Sequence, residues 1–262
     1  MNSRENLQHE STQRMPLPVK ILVTGCNGRM GQAVIACSDS HESIQIAEQI
    51  DVDDCLQTAI QKCDSVIDFS FHTFTNQLLS ACVDQGKSAV VGTTGHSDEE
   101  ISAIHAASSS IPIVMSPNFS IGVNTLFWLT SKTAEVLGKG YDLEVVEMHH
   151  RLKQDAPSGT AKHLAEILAE QTGLSYSKDT IHGRQGIIGP RTENEIGMHS
   201  MRGGDVIGDH TVVYAASGER IELTHKASSR NTFANGALRA AKWLKDQKPG
   251  LYDMQDVLGL RH

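Results

Sequence analysis

At 262 residues the chain exceeds one minimal core, and at about 150 residues per domain it makes one large domain or two, with two the working number. Its 39% hydrophobic and 21% charged residues are ordinary for a folded chain and exclude a largely disordered one. The formal net charge of −8 repels nucleic acid and anionic membrane, so neither is expected as a partner, and only a local basic pocket remains open to an anion.

The opening stretch MNSRENLQHESTQRMPLP is polar and lacks an apolar signal core, which reads as a flexible tail over residues 1–18. No run approaches the about 20 apolar residues of a membrane span. The five cysteines, Cys26, Cys37, Cys55, Cys63 and Cys82, form no C-x-x-C pair and no zinc spacing. An odd, unpatterned set points to a reducing cytoplasm.

From Val19 short apolar runs alternate with amphipathic stretches, the pattern of an α/β, Rossmann-like doubly wound parallel sheet. Strands are predicted over 19–24, 43–50, 65–70, 88–92 and 111–115. Between them Met30, Ala33, Val34 and Cys37 form one helical stripe, and Leu78, Leu79, Cys82 and Val83 another. After Met115 the rhythm changes. SPNFSIGVN is turn-rich and leads into a helix striped by Val123, Leu126, Phe127, Thr130, Ala134 and Leu137, so a domain boundary is placed at Ser120.

Beyond it come a strand over 141–150, a helix from about Gly159, a Gly-rich stretch over 183–208, and the strands DHTVVYAAS and ERIELTHKA. These compose a second, α+β domain over 121–233, built on a mixed sheet. The last residues return to helix, with Ala234, Ala237, Leu238, Ala241 and Leu244 in register, and 234–262 are expected to complete the first domain, 19–120.

The turn VTGCNGRMG carries Gly25, Gly28 and Gly31 from the first strand into the first helix, a G-x-x-G-x-x-G variant of the dinucleotide fingerprint. Gly25 lets the strand turn, Gly28 lets backbone approach a pyrophosphate, and Gly31 lets helix and strand pack closely. The helix N-terminus then offers free N–H groups to the phosphates. Glycines also mark turns for purely structural reasons, so the weight comes from context.

Asp51 closes the second strand, where a carboxylate accepts hydrogen bonds from an adenosine ribose; the bland alternative is a solvated strand end, since Asp53 and Asp54 follow. Val52 supplies no arginine for a 2′-phosphate, which leans the reading toward NADH over NADPH, while Arg29 offers a phosphate a second cation. GTTG at 92–95 and SPNFS at 116–120 follow the fourth and fifth strands, at the edge where such sheets bind ligands. Both are also ordinary turn sequences.

The stretch EMHHRLKQDAPSGTA gathers His149, His150 and Lys153 ahead of a helix start. Adjacent strand residues face opposite ways, so two neighbouring histidines do not readily share a metal, no third ligand stands at a familiar spacing, and none is expected. Asp155 and Ser158 both suit the helix cap, Pro157 suits the position before it, and Ala161, Leu164, Ala165 and Leu168 supply the apolar stripe. A structural helix start has no need of three titratable nitrogens. The functional reading is an anion pocket beside a proton source: Ser158, Gly159 and Thr160 offer N–H and hydroxyl donors to a carboxylate, Lys153 adds charge, and His149 or Lys153 delivers a proton. His225, Lys226 and Arg230 in THKASSR either complete that pocket or are solvated surface charge.

EMHHRLKQDAPSGTA resembles the signature of the 4-hydroxy-tetrahydrodipicolinate reductase family, formerly called dihydrodipicolinate reductases, of lysine biosynthesis via diaminopimelate. The likeness extends through VTGCNGRMG, VIDFS, GTTG, NFSIGVN, RGGDVIGDHTV and ERIELTHKASSRNTFANGAL, nearly the whole chain from Val19. It implies His149 as proton donor and acceptor, Lys153 as the second catalytic residue, and His150, Gly159 and Thr160 as contacts to substrate carboxylates, to which the reading of the residues above adds Ser158 and Arg230. It also implies cofactor contacts at Gly25, Cys26, Asn27, Gly28, Arg29, Met30, Asp51, Gly92, Thr93, Thr94, Ser116, Pro117, Asn118 and Phe119. Cys26 and Asn27 stand where small residues are common in the family, and the segment after Asp51 is short. The resemblance further implies a homotetramer joined through the second domain, a hinge, and NADH or NADPH as hydride donor to ring C4 of a cyclic dicarboxylate. The 4-hydroxyl would leave as water and His149, aided by Lys153, would protonate the resulting enamine. The rivals are another nicotinamide dehydrogenase sharing only the first domain's fold, and a non-catalytic nicotinamide sensor that binds the cofactor without turnover.

Overall fold

The computed structural model describes residues 17–261, so the tail expected over 1–18 lies outside the described residues apart from Leu17 and Pro18. Among the described residues no helix is long and apolar enough to cross a membrane.

The first sheet is built from strands that are apolar on both faces. In β1 (Val19–Thr24) Ile21, Leu22 and Val23 are fully buried, as a strand covered by helices on both sides requires. Around it stand β2 (Ile44–Ile50), β3 (Ser65–Asp68), β4 (Ser88–Val91) and β5 (Pro112–Met115). The intervening helices are α1 (Arg29–Ser38), the short α2 (Leu56–Ala59), α3 (His72–Gln85) and α4 (Asp98–Ser108). Helix α4 starts on a full capping box, with Ser97 accepting from the Glu100 N–H and Glu100 from the Ser97 N–H.

Helix α5 (Ile121–Leu137) then leads to the second sheet, of β6 (Asp142–His149), β7 (Thr180–His182), β8 (Ile196–Arg202), β9 (Gly208–Ala216) and β10 (Glu219–Ala227). Helices α6 (Gly159–Thr172) and the single-turn α7 (Tyr176–Asp179) fall between β6 and β7. The strand order is β10-β9-β6-β8-β7, with β6 antiparallel to β9 and parallel to β8, a mixed sheet as expected. Ala161, Leu164, Ala165 and Leu168 of α6 are fully buried against it. Each leucine so buried contributes about 2 kcal/mol of apolar transfer.

The chain ends with α8 (Asn231–Leu244), β11 (Gly250–Tyr252) and α9 (Met254–Val257). Helix α8 packs its buried stripe, including Ala234, Ala237, Leu238, Ala241 and Leu244, on Val23, Ile67, Val90 and Val114 of the first sheet. β11 pairs parallel with β5 and completes the order β11-β5-β4-β3-β1-β2. All pairings in this sheet are parallel.

Three strands escape the sequence pattern, the three-residue β7 among them. The Gly-rich stretch over 183–208 contains β8, because a Cβ on Gly197 would fall 1.7 Å from the Glu144 carboxylate on neighbouring β6, so the strand carries a glycine where a side chain has no room. β11 is three residues long and shows no alternation to read. The expected strand over 141–150 also ends one residue early, at His149.

Candidate active site

With every pairing parallel, the loops after β1, β2, β3, β4 and β5 leave the first sheet at one edge. The order runs outward from β1 to β2 on one side and β3 on the other, the reversal at which open sheets form a ligand crevice. Gly25 turns the chain there with φ 66°, and a Cβ on it would lie 2.4 Å from the Phe69 carbonyl oxygen. A Cβ on Gly31 would lie 2.2 Å from the Gly25 carbonyl oxygen, whereas one on Gly28 would meet that oxygen at 3.1 Å. Gly28 caps α1 with no side-chain bond into the first turn and no acid follows there, leaving the leading N–H groups of Arg29, Met30 and Gly31 to an anion. This turn fits a dinucleotide pyrophosphate.

Asp51 accepts hydrogen bonds from the N–H of Asn27 at 2.9 Å and of Val52 at 3.0 Å, and Asp54 accepts from the Asp51 N–H at 2.8 Å. Its carboxylate is thereby fixed beside the glycine turn. Burial, then Asp51 and Asp54, push the Cys26 thiol upward, so it stays protonated.

The loop holding Gly92, Thr93 and Thr94 is anchored by Asp68, a fully buried carboxylate that sequence reasoning missed. Asp68 accepts from the Thr24 hydroxyl at 2.6 Å, the Thr93 hydroxyl at 2.9 Å and the Ser70 N–H at 3.1 Å, joining the ends of β1, β3 and β4. Beside it a Cβ on Gly92 would fall 2.2 Å from the Phe69 ring, and that ring meets Phe119 edge-on at 5.9 Å. In the loop after β5, Ser116 donates to the Asn118 carbonyl at 2.8 Å, and Asn118 Oδ1 accepts from the Ser120 N–H at 2.8 Å. Pro117 lies between them, and the Asn118 amide donates across to Thr160 Oγ1 at 3.2 Å.

On the second sheet, alternation puts Glu147 and His149 on one buried face of β6, and His150 follows just past the end of the strand. His149 Nδ1 lies 2.5 Å from Glu147 Oε2, while Glu147 Oε1 takes the Arg202 guanidinium at 2.8 Å and the Ser158 N–H at 3.4 Å. Arg202 stands opposite His149 on β8, and His210 stands opposite Glu147 on β9. The His210 ring meets that of His149 edge-on at 5.1 Å, with its Nε2 3.1 Å from the Ser158 hydroxyl. Burial pushes the Glu147 carboxyl up, but hydrogen bonds from Arg202, Ser200 and His149 outweigh it and hold it below its ordinary value. Burial pushes the His149 imidazole down, with Glu147 opposing. Burial, reinforced by His149, pushes His210 down to about 3.

A cavity of about 870 Å³ has Arg29 of α1 on its wall together with His150, Lys153 and Arg230. Arg29, Arg151, Lys153 and Arg230 outnumber Asp155 and Asp205 on that wall, so the cavity is locally basic in a chain of net charge −8. Lys153 Nζ pairs with Asp155 on the same wall at 2.9 Å, and His150 Nδ1 is buried without a hydrogen-bond partner among the described residues. Ser158, not Asp155, caps α6, accepting from the Ala161 N–H at 3.2 Å. His149, Ser158, Gly159 and Thr160 lie off that wall, with His149 8% exposed. The cluster THKASSR divides: Arg230 joins the wall, Lys226 is exposed, and His225 packs where a Cβ on Gly122 would be, 2.7 Å from its Nε2. Among the described residues no group of three or more His, Cys, Asp or Glu side chains is placed to hold a metal ion.

Glu147, Arg202 and His210 are the further residues that the sequence did not single out. Glu147 was readable, two positions before His149 on one strand face; the other two lie in RGGDVIGDHTV, but only strand register brings them beside His149 and Glu147.

Residues 19–119 match the sequence family described as Dihydrodipicolinate reductase, N-terminus, and residues 122–258 match Dihydrodipicolinate reductase, C-terminus. A 4-hydroxy-tetrahydrodipicolinate reductase of Akkermansia muciniphila is 55% identical over 92% of this chain and 98% of that one. One of Chromobacterium violaceum is 45% identical, again over 92% and 98%. The fold is shared with a dipicolinate-bound dihydrodipicolinate reductase from Paenisporosarcina sp. TG-14, at TM-score 0.78 and 22% identity over 92% of this chain and 99% of that one. With both halves matched and near full-length identity of this size, the chain belongs to the dihydrodipicolinate reductase family.

Proposed function

We propose that the chain is an oxidoreductase that converts 4-hydroxy-tetrahydrodipicolinate to tetrahydrodipicolinate with loss of water, using NADH or NADPH, in lysine biosynthesis via diaminopimelate. The observation that carries this reading is the meeting of a glycine-turn nucleotide edge with a basic cavity, Arg29 of that turn sharing its wall with His150, Lys153 and Arg230.

A bound nicotinamide supplies the hydride for ring C4. The chain's own residues do the rest. The turn from Gly25 to Met30 holds the pyrophosphate, Asp51 the adenosine ribose, and the loops Gly92–Thr94 and Ser116–Phe119 the remainder of the cofactor. Lys153, Arg230 and His150, with the α6 N-terminus at Ser158, Gly159 and Thr160, hold the two substrate carboxylates. His149 carries the proton to the enamine, and the positive charge of Lys153 favours its release. Residues 19–120 with 234–262 form the nucleotide domain in this reading. Residues 121–233 form the substrate domain, which also joins subunits into a homotetramer, an arrangement supported by exposed Met201 and Ile221 on β8 and β10.

NADH is the favoured donor. A 2′-phosphate beside Asp51 would meet a fixed carboxylate with Asp54 against it, while Arg29 faces the substrate cavity.

The test is the loss of NADH absorbance with freshly generated 4-hydroxy-tetrahydrodipicolinate. His149→Gln and Lys153→Ala should each lower kcat by about 100-fold or more; native rates in both overturn the assignment. A kcat/KM favouring NADPH in the native protein, or one for NADH indifferent to Asp51→Ala, overturns the cofactor preference.

A further inference from the structure

The side chain of Glu147 is fully buried, is absent from the cavity wall, and has no part in the reaction just described, yet it makes the shortest hydrogen bond of the histidine pair. We propose that Glu147 is a positioning residue whose carboxylate holds the Nδ1–H of His149, so that Nε2 is the atom that takes and gives the reaction proton, with Arg202 as the counter-charge. The inference rests on His149 being the proton carrier.

The donors around Glu147 decide its chemistry. Oε1 faces the Arg202 guanidinium and the Ser158 N–H, groups that only donate, and Oε2 faces His149 Nδ1. A carboxylate offers acceptors alone and so satisfies all three at once, which requires a proton on Nδ1. Nε2 is then left open on the far side of the ring. A Cβ on Gly208 would stand 2.9 Å from that nitrogen, so the glycine keeps the atom clear. His210, edge-on to His149, is engaged at its own Nε2 by Ser158 and does not compete for Glu147.

The amide of Glu147→Gln cannot reproduce this. Its oxygen best serves Arg202 and Ser158, which turns its NH2 toward His149 Nδ1 and moves the ring proton to Nε2. The charged and titratable groups facing His149 are Glu147 on its own strand, Arg202 on β8, His210 on β9 and Lys153 after β6. Removing the one negative member leaves cations around the imidazole, so its protonation moves to lower pH.

The experiment combines 15N-histidine spectra with steady-state kinetics across pH. The native protein should show His149, identified by its loss in His149→Gln, as the Nδ1–H tautomer. Glu147→Gln should show Nε2–H, a kcat lowered about 100-fold with substrate KM within about threefold, and an alkaline limb of the rate profile displaced to lower pH, since the proton donor is lost as pH rises through its pKa. Glu147→Asp, which keeps the charge, should regain part of the rate. A native Nε2–H tautomer overturns the proposal and needs no variant to fold. So does a Glu147→Gln protein that loses only thermal stability, with kcat per folded site, pH profile and tautomer unchanged. If instead native and His149→Gln proteins turn over alike, the proton-carrier reading fails, while the tautomer spectrum still reports separately on Glu147.

Discussion

The Asn118 side-chain amide donates to Thr160 Oγ1 at 3.2 Å, tying the loop that leaves β5 to the first turn of α6. The amide is oriented by the fold, because its oxygen accepts from the Ser120 N–H at 2.8 Å. A loop of the nucleotide edge thus touches the helix start proposed to hold a substrate carboxylate. Asn118→Asp keeps the acceptor for Ser120 and places a negative charge at Thr160. Substrate KM should rise about tenfold, equivalent to about 1.4 kcal/mol, with a smaller change in cofactor KM and little in Tm. Steady-state kinetics with each substrate varied in turn decide it, and an unchanged substrate KM would detach Asn118 from carboxylate binding.

The three turn glycines should separate by role. Gly25→Ala and Gly31→Ala place a Cβ 2.4 Å and 2.2 Å from backbone oxygens, so each should destabilise the protein by about 2 kcal/mol or more and lower Tm. Gly28→Ala meets its nearest oxygen at 3.1 Å and has an extended backbone with φ −73°, so the fold should accept it. The added methyl then stands where the proposed pyrophosphate would approach. Gly28→Ala should keep Tm within a few degrees while weakening NADH binding about tenfold or more, read by fluorescence titration. Native affinity in Gly28→Ala would place the cofactor elsewhere.

Much of this architecture is legible in the amino-acid order because it rests on local period. β1 and the stripes of α1, α5, α6 and α8 each repeat at the spacing their geometry demands, and Gly25, Gly28 and Gly31 announce a turn at fixed offsets. β8 was hidden because Gly197 yields its side-chain space to Glu144, a fact of strand pairing that no local window contains. β11 finds its place through β5, more than a hundred residues earlier. The same division runs through the site. His149, His150, Lys153 and Ser158 lie in one short stretch, whereas Arg202 and His210 join them only by register across β6, β8 and β9. Asp68 lies within VIDFS, but its role appears only when three parallel strand ends are side by side.

His210 should make stability fall with acid well above the carboxylate range. It is pushed from its ordinary 6.5 down to about 3, so the unfolded chain binds the proton first. Its contribution is full above about pH 6.5 and is lost as pH falls toward about 3, at up to about 1.4 kcal/mol per pH unit. His210→Phe removes the titrating group but strands the Ser158 hydroxyl, costing about 1 kcal/mol near pH 7. Urea unfolding between about pH 4 and about pH 7 should show a shallower slope in the variant. Equal slopes would mean that His210 takes up its proton in the folded protein as readily as in the unfolded chain.

Glu144 should govern the loop between β7 and β8. Its carboxylate accepts from Arg184 at 2.7 and 3.0 Å, from His199 at 2.8 Å and from Arg191 at 3.2 Å, and both arginines belong to that loop. Burial pushes the carboxyl up, yet Arg184, His199 and Arg191 overcome it and hold it at about 2. The folded value lies below the ordinary 4.5, so this stabilisation is complete above about pH 4.5 and is lost as pH falls toward about 2. Glu144→Gln removes the charge but keeps the shape, leaving two guanidinium groups to Glu195 and Asp142. A loss of about 2 kcal/mol is expected at neutral pH. Trypsin should cut after Arg184 and Arg191 faster in the variant than in the native protein, because the loop Ile187 and Ile188 expose is released at both ends. Native-like protection in Glu144→Gln would show that backbone contacts, not this carboxylate, hold the loop.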